Sequence, residues 1–363
     1  MRPTPLAAAL FLVARAALAA QPLALELRGG APVLSGPESF RIYFLGDNDS
    51  LPPLIAANGL PYDRWYSAST MLATRFALPA ELVVEQLKLP AGSRVLLTTG
   101  LGQNIYTPRT AAVATAEELQ GDRPYSGWLE LTAGADVLLP NAPLAFTRGG
   151  RPYTHLGLDL RGGAQGPWSM AGFTQFHLHH LPEIVSGQPL PPVPGWGTIE
   201  TRPGLTVDAT LFAETTLASL EAAPPSWMEW SGGRAQLHWM AGASGHAGSM
   251  LLAGALHTTL TAGWEGDPLA REQAFIPVTG HAYLRGEVRR VGYNATIDRP
   301  IMDGTVVARH EPWLGEVAMG LVLRLWRLEA SVGPVYRTNE TATLQGGLRS
   351  GQLIWQASAS YVQ

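Results

Sequence analysis

The chain has 363 residues, no cysteine, a formal charge of −4 and charged side chains at only 15% of positions. Those values exclude disulfides, thiolate metal centres and a cysteine nucleophile, and so weak a charge argues against a nucleic-acid partner. They leave length for one large barrel or two ordinary domains.

The chain opens with Arg2, the apolar run Leu6 to Ala14 and the small-residue tripeptide Ala17-Leu18-Ala19. A charged start, a short hydrophobic middle and a cleavage site predict a secretory signal peptide over residues 1–20, with the mature domain over 21–363. No later stretch reaches the roughly 18 uninterrupted apolar residues of a membrane helix. A membrane-bound product must therefore cross as a closed barrel or attach from the surface.

From there period-two patterns dominate, and they predict strands at Phe40–Gly46, Tyr66–Leu78, Arg94–Tyr106, Tyr125–Leu138 and Tyr153–Arg161. The second half adds Leu205–Leu217, Ala235–Ala243, Ser249–Gly263, Val278–Ala295, Glu316–Trp326 and Leu328–Arg337. In the last strand Leu353, Trp355, Ala357, Ala359 and Tyr361 alternate with Gln352, Ile354, Gln356, Ser358 and Ser360. One face is apolar with aromatic ends and the other is mostly polar, as a strand between lipid and a lumen requires. Loops rich in Gly, Pro, Asp and Asn separate the strands at Pro52–Pro61, Glu221–Gly233, Glu265–Gln273 and Asp298–Pro312. The fold class is thus all-β, an antiparallel outer-membrane barrel of about twelve strands in one domain. A soluble double sandwich would show the same alternation.

Ser169–Val185 breaks the pattern. Phe173, Phe176 and His180 stand at helical spacing behind Ser169 as a candidate N-cap, and Pro182 should end or kink the helix. The proline-rich run Gln188 to Trp196 follows. A short helix inserted in one long loop of a barrel is a place to look for function.

His177, His179 and His180 crowd one turn of that helix. Zinc pairing on a helix uses i, i+4 histidines, and His177 and His179 are two apart, so the spacing opposes a zinc site. Gln175 and His179 do stand at i, i+4. The glutamine amide can orient the imidazole, whose proton affinity suits a general base; solvated loop histidines are the bland alternative. At the end of the first strand, Asp47-Asn48-Asp49-Ser50 supplies oxygen donors of the kind calcium prefers, or an ordinary turn. Tyr66-Ser67 adds a hydroxyl on the next strand.

Together these segments resemble the lipid A deacylase (LpxR-type) family in four blocks. Asp47-Asn48-Asp49 is similar to its N-terminal Asn-Asp element, and Asp63-Arg64-Trp65-Tyr66-Ser67 to its Asp-Arg-x-Tyr-Thr element. Gly102-Gln103-Asn104-Ile105-Tyr106-Thr107-Pro108 with Gly121-Asp122-Arg123-Pro124-Tyr125-Ser126-Gly127-Trp128 follows its most recognisable part. Gly157-Leu158-Asp159, then Gln175-x-x-x-His179 and Gly195-Trp196, keep its glutamine, histidine and tryptophan in order.

The resemblance implies a twelve-stranded outer-membrane barrel of a Gram-negative cell that removes the 3′-linked acyloxyacyl chain of lipid A. It implies His179 as the base that activates water, Asn48, Asp49 and Gln175 as active-site residues, and Ser67 where the family has threonine. The implied cofactor is Ca2+, with Asp49, Ser67 and Glu183 as its candidate donors, polarising the ester carbonyl as a Lewis acid. The implied partners are lipid A or lipopolysaccharide and the surrounding membrane lipids, with no protein partner. Three positions depart from the family pattern. Tyr66-Ser67-Ala68-Ser69 replaces Tyr-Thr-x-Gly, Val113 stands where a basic residue is expected, and Val185 stands where an acidic one is, leaving Glu183 as the nearest substitute. Two rival readings are a non-catalytic outer-membrane barrel, porin-like or structural, and a soluble periplasmic binding sandwich.

Overall fold

A computed structural model describes residues 40–48, 68–79, 86–109, 113–119, 121–140, 144–149, 152–177, 193–223, 226, 234–265, 278–342 and 351–362. The signal peptide expected over 1–20 and the loop at 52–61 lie outside these residues. The strands are β1 (Phe40–Asn48), β2 (Ala68–Ala77), β3 (Arg94–Tyr106), β4 (Ser126–Pro140), β5 (Phe146–Arg148), β6 (Tyr153–Gln165), β7 (Gly204–Ala222) and β8 (Arg234–Gly248). β9 (Leu251–Glu265), β10 (Val278–Asn294), β11 (Trp313–Leu325), β12 (Leu328–Arg337) and β13 (Gln352–Val362) follow.

Apart from the three-residue β5, which lies parallel to the end of β7, neighbours in sequence pair antiparallel all the way round. The ring closes between the first and last strands, where Arg41 to Asn48 run opposite Val362 to Trp355. Closure leaves no unpaired edge among these twelve strands, which is the condition for crossing a bilayer with strands. It also removes the soluble double sandwich. Every strand expected from alternation is present; β5 was not expected, because three exposed residues carry no period.

Alternation is turned inside out relative to a soluble protein. Leu72, Leu101, Leu131, Leu160, Val207, Leu256, Val288, Leu321 and Leu353 point outward and are exposed. Arg41, Arg75, Glu130, Asp136, His155, Arg161, Arg285 and Glu287 point inward and are buried. Outward Trp313 and Tyr336 sit toward one end, and Phe76 and Tyr361 toward the other, as interfacial aromatics do.

Several inward charges are paired by short hydrogen bonds, which offsets the cost of burying an ion. Arg41 Nη1 donates to Glu329 Oε1 at 2.5 Å, His155 lies between Asp136 (3.0 Å) and Glu214 (3.2 Å), and Glu287 bridges Arg285 (2.7 Å) and Arg289.

The two ends differ in loop length. One carries the connections 49–67, 107–125, 166–203, 295–312 and 338–351 with the short turn 249–250; the other carries the shorter connections 78–93, 141–152, 223–233, 266–277 and 326–327. At the long-loop end Arg123 ties three loops together. Its Nη1 donates to Glu340 at 2.7 Å and its Nη2 to Thr296 at 2.6 Å, while its guanidinium lies 4.4 Å from the Tyr106 ring centroid. Burial alone would push the Glu340 carboxyl up, but Arg337 and Arg123 hold it below the ordinary glutamate range.

Candidate functional site

The candidate residues belong to the long-loop end, and the strand register fixes where their described neighbours sit. Phe40 pairs with Phe76, and the same offset carried along the two strands brings Asn48, the last residue of β1, level with Ala68, the first of β2. Ala68 pairs with Ile105, and Ile105 pairs with Gly127. All three belong to the outward rows of their strands, in line with exposed Leu72, Leu101 and Leu131 further down.

Near the rim, however, this outward row is covered. Ala68 and Ile105 are 3% and 1% exposed because Ala171 and Trp196 pack on them. A Cβ on Gly127 would collide with Ser169 Oγ and Ala171 Cβ, so only glycine lets the loop lie this close to β4. The inserted loop therefore folds down over the outside of the wall, not into the lumen.

That loop segment begins with a 3-10 turn, Gly166–Ser169, and continues as a helix over 171–177. Ser169 acts as the expected cap: its hydroxyl accepts from Ala171 N–H at 3.3 Å and donates to the Gly166 carbonyl at 2.6 Å. Gln103, another outward residue of β3, donates its amide to the Ser169 carbonyl at 2.6 Å and pins the segment to the wall. Ala171 packs on the wall and Gln175, one turn on, is also buried, while Trp168, Met170, Phe173 and Phe176 are more than half exposed. The segment lies against β2, β3 and β4 through Ala68, Gln103, Ile105 and Gly127.

Gln175 is fixed by Trp196. The indole Nε1–H donates to Gln175 Oε1 at 2.7 Å, and the same ring packs on Gly172 and lies 5.0 Å from the Tyr125 ring. Tyr125 in turn bridges to Glu200, whose carboxylate accepts from Gly197 N–H at 3.2 Å. Burial pushes the Glu200 carboxyl up to about 7, with the Gly197 hydrogen bond opposing.

Of the residues expected from the sequence, Gln175 is buried against the wall, and Asn48 ends β1 at the same rim. Asp49, Ser67, His179, His180 and Glu183 lie outside the described residues. His177 is exposed, and its Nδ1–H donates to the Phe173 carbonyl of its own helix at 2.8 Å, a solvated side chain turned to local use. No group of three histidine, aspartate or glutamate side chains is placed to hold a metal among the described residues. Sequence reasoning quotes Gln103 and Trp196 within the resembling blocks without giving either a role, and passes over Glu200. Gln103 sits on the same outward row as Ile105, and that parity was the available signal.

A family model described as outer membrane protein LpxR matches residues 6–358. Among solved structures, LpxR from Salmonella typhimurium superposes with a TM-score of 0.64 at 16% identity, covering 89% of this chain and all of that one. The β domain of the Bordetella autotransporter BrkA gives a TM-score of only 0.39 at 11% identity, over 90% of this chain and 100% of that one. No curated protein matches the chain.

Proposed function

The chain belongs to the family of outer membrane protein LpxR, and from that membership we propose that it hydrolyses the ester of the 3′-linked acyloxyacyl chain of lipid A. The observation that carries the reading is the loop laid over the outside of the barrel. A lipid headgroup lies beside the wall, not in the lumen, and an enzyme acting on it needs its polar groups on that side. Trp168, Met170, Phe173 and Phe176 offer apolar surface to acyl chains there, and Gln175 lies buried immediately behind them. Outer-membrane barrels carry their longer loops on the outside, so this end corresponds to the lipopolysaccharide leaflet.

In the proposed mechanism His179 takes a proton from water, and the resulting nucleophile attacks the ester carbonyl carbon. The tetrahedral intermediate collapses as the C–O bond to the sugar breaks, and the proton passes to the departing alkoxide. Asn48 ends β1 and Ala68, level with it, begins β2; Asp49 follows the one in sequence and Ser67 precedes the other, which supports their acting together. Asp49, Ser67 and Glu183 are the proposed donors to Ca2+, which supplies positive charge beside the carbonyl oxygen when bound. Support for calcium comes from the hard oxygen character of these donors.

The direct test is mass spectrometry of lipid A from cells with and without the expressed protein. Loss of one acyloxyacyl group from the 3′ position is the expected change, and an unaltered lipid A would overturn the activity. Chelation and Asp49→Asn should each silence the protein with the barrel intact, and Glu183→Gln should raise the calcium needed for half activity. Full activity in excess chelator would remove calcium from the mechanism, while an unchanged requirement in Glu183→Gln would remove only that donor.

A further inference from the structure

The Gln175 carboxamide has two ends with different fates. An indole N–H can only donate, so the Gln175 atom 2.7 Å from Trp196 Nε1 must be the oxygen. That settles which way the amide faces, a choice the electron-rich and electron-poor ends otherwise leave open. Gln175 Nε2 is then a donor. It is closed off from solvent and has no hydrogen-bond partner among the described residues. An unpaired buried donor is costly, and such a cost persists where a ligand completes the bond.

Everything around Trp196 holds the indole in place. Its ring packs on Gly172, Ala171, Ile105 and Ala68 and leans on the Tyr125 ring. A Cβ added at Gly172 would approach Trp196 Cγ to 2.9 Å, so the helix backbone and the ring are in direct contact. Ring, helix and barrel wall thus form one rigid unit, and the orientation of the amide follows from it.

We propose that Trp196 is a positioning residue that commits Gln175 Nε2 as a hydrogen-bond donor to the carbonyl oxygen of the bound ester. This rests on the ester-hydrolase reading given above. A neutral donor aimed at an oxygen that gains charge in the transition state acts on turnover more than on binding. Trp196 has no contact with the ester in this scheme and acts only through Gln175.

The test uses the full-length protein in detergent, with Trp196→Phe, Gln175→Leu and the double variant assayed on lipid A. Heat-modifiable gel migration serves as the control for a folded barrel. Each single variant should lower kcat, Gln175→Leu by about a hundredfold, with KM little changed. The double variant should be no slower than Gln175→Leu, because Trp196 has nothing left to position.

A second readout does not need activity. In protein labelled with 15N-tryptophan, the indole N–H resonance missing from Trp196→Phe should exchange slowly in the wild type and shift in Gln175→Leu. Additive losses in the double variant, wild-type kcat in Trp196→Phe, or an indole resonance that ignores Gln175→Leu would each overturn the positioning role. A wild-type protein that leaves lipid A intact while the resonance still shifts would overturn the ester chemistry and leave the Trp196–Gln175 pair standing.

Discussion

His177 and His179 are two positions apart, and of the two only His177 lies among the described residues. His177 spends its Nδ1–H on the Phe173 carbonyl and lies tilted against the Phe173 ring, centroids 4.1 Å apart, on the exposed side of the helix. Gln175 is on the buried side, and His179 is its i+4 partner. We therefore expect His179→Ala to abolish deacylation and His177→Ala and His180→Ala to leave much of it. A dead His180→Ala with an active His179→Ala would move the base by one position. Glu200 gives a pH dependence whose sign is fixed by its environment. Burial raises the folded carboxyl from 4.5 to about 7. Below about pH 4.5 both folded and unfolded forms hold the proton, and this group costs nothing. Between about 4.5 and 7 the unfolded chain releases it first, so stability falls as pH rises, by at most about 3 kcal/mol in all. Above about 7 the loss is complete and the curve is flat. Glu200→Gln should flatten that decline in the melting temperature, and identical pH profiles for the two proteins would show that Glu200 is not the source.

The loop segment over 166–177 is held to the wall by three contacts of different kinds. Gln103 donates to the Ser169 carbonyl, Ala171 packs on Ile105 and Ala68, and Gly127 makes room for Ser169 and Ala171. Strands β2, β3 and β4 keep their own ladders without it, since their hydrogen bonds run between strands. Gly127→Val should therefore lift the segment from the wall and carry Gln175 away from the rim without preventing barrel formation. The expected result is a heat-modifiable, membrane-inserted protein with activity reduced by more than tenfold, in line with the cost of misplacing a catalytic group. Full activity in Gly127→Val would mean that the site does not depend on where this segment lies. Phe173 and Phe176 are exposed on it.

At the scale of the barrel, stability comes from two sources that the strands separate by parity. The outward rows meet lipid, and the inward rows are joined by ion pairs across non-neighbouring positions. Arg41 and Glu329 come from opposite parts of the chain, β1 and β12, with β13 between them, and both are buried. Removing Glu329 takes the carboxylate from a buried guanidinium, so Glu329→Ala should destabilise the barrel by about 3–5 kcal/mol, near the seam where it closes. Thermal loss of heat-modifiable migration at a lower temperature is the measurement. An unchanged transition would show that water or another side chain replaces the glutamate. Arg123 plays the matching part at the other end, where it joins loops 107–125, 295–312 and 338–351.

Much of this architecture is written in short-range pattern. A strand between lipid and a packed lumen must alternate, so twelve strands could be read from residues such as Leu353, Trp355 and Tyr361 without knowing their partners. β3 and β12 were expected at the very residues they occupy, Arg94–Tyr106 and Leu328–Arg337. The change of period at Ser169 marks the helix, and the four-residue spacing to His179 marks the glutamine that the structure buries against the wall. What period cannot encode is which side of the wall a loop lies on. Ala68, Ile105 and Gly127 read as lipid-facing, and only the register that aligns them reveals a seat for Ala171 and Trp196. Likewise Gln175 and Trp196 are 21 positions apart, with a proline-rich run between them, and no local signal pairs them. Alternation is set by the solvent on each face of one strand, whereas the site is made by contacts between segments brought together when the ring closes and the loop folds back. The first is a property of residues in order, and the second exists only in the folded barrel.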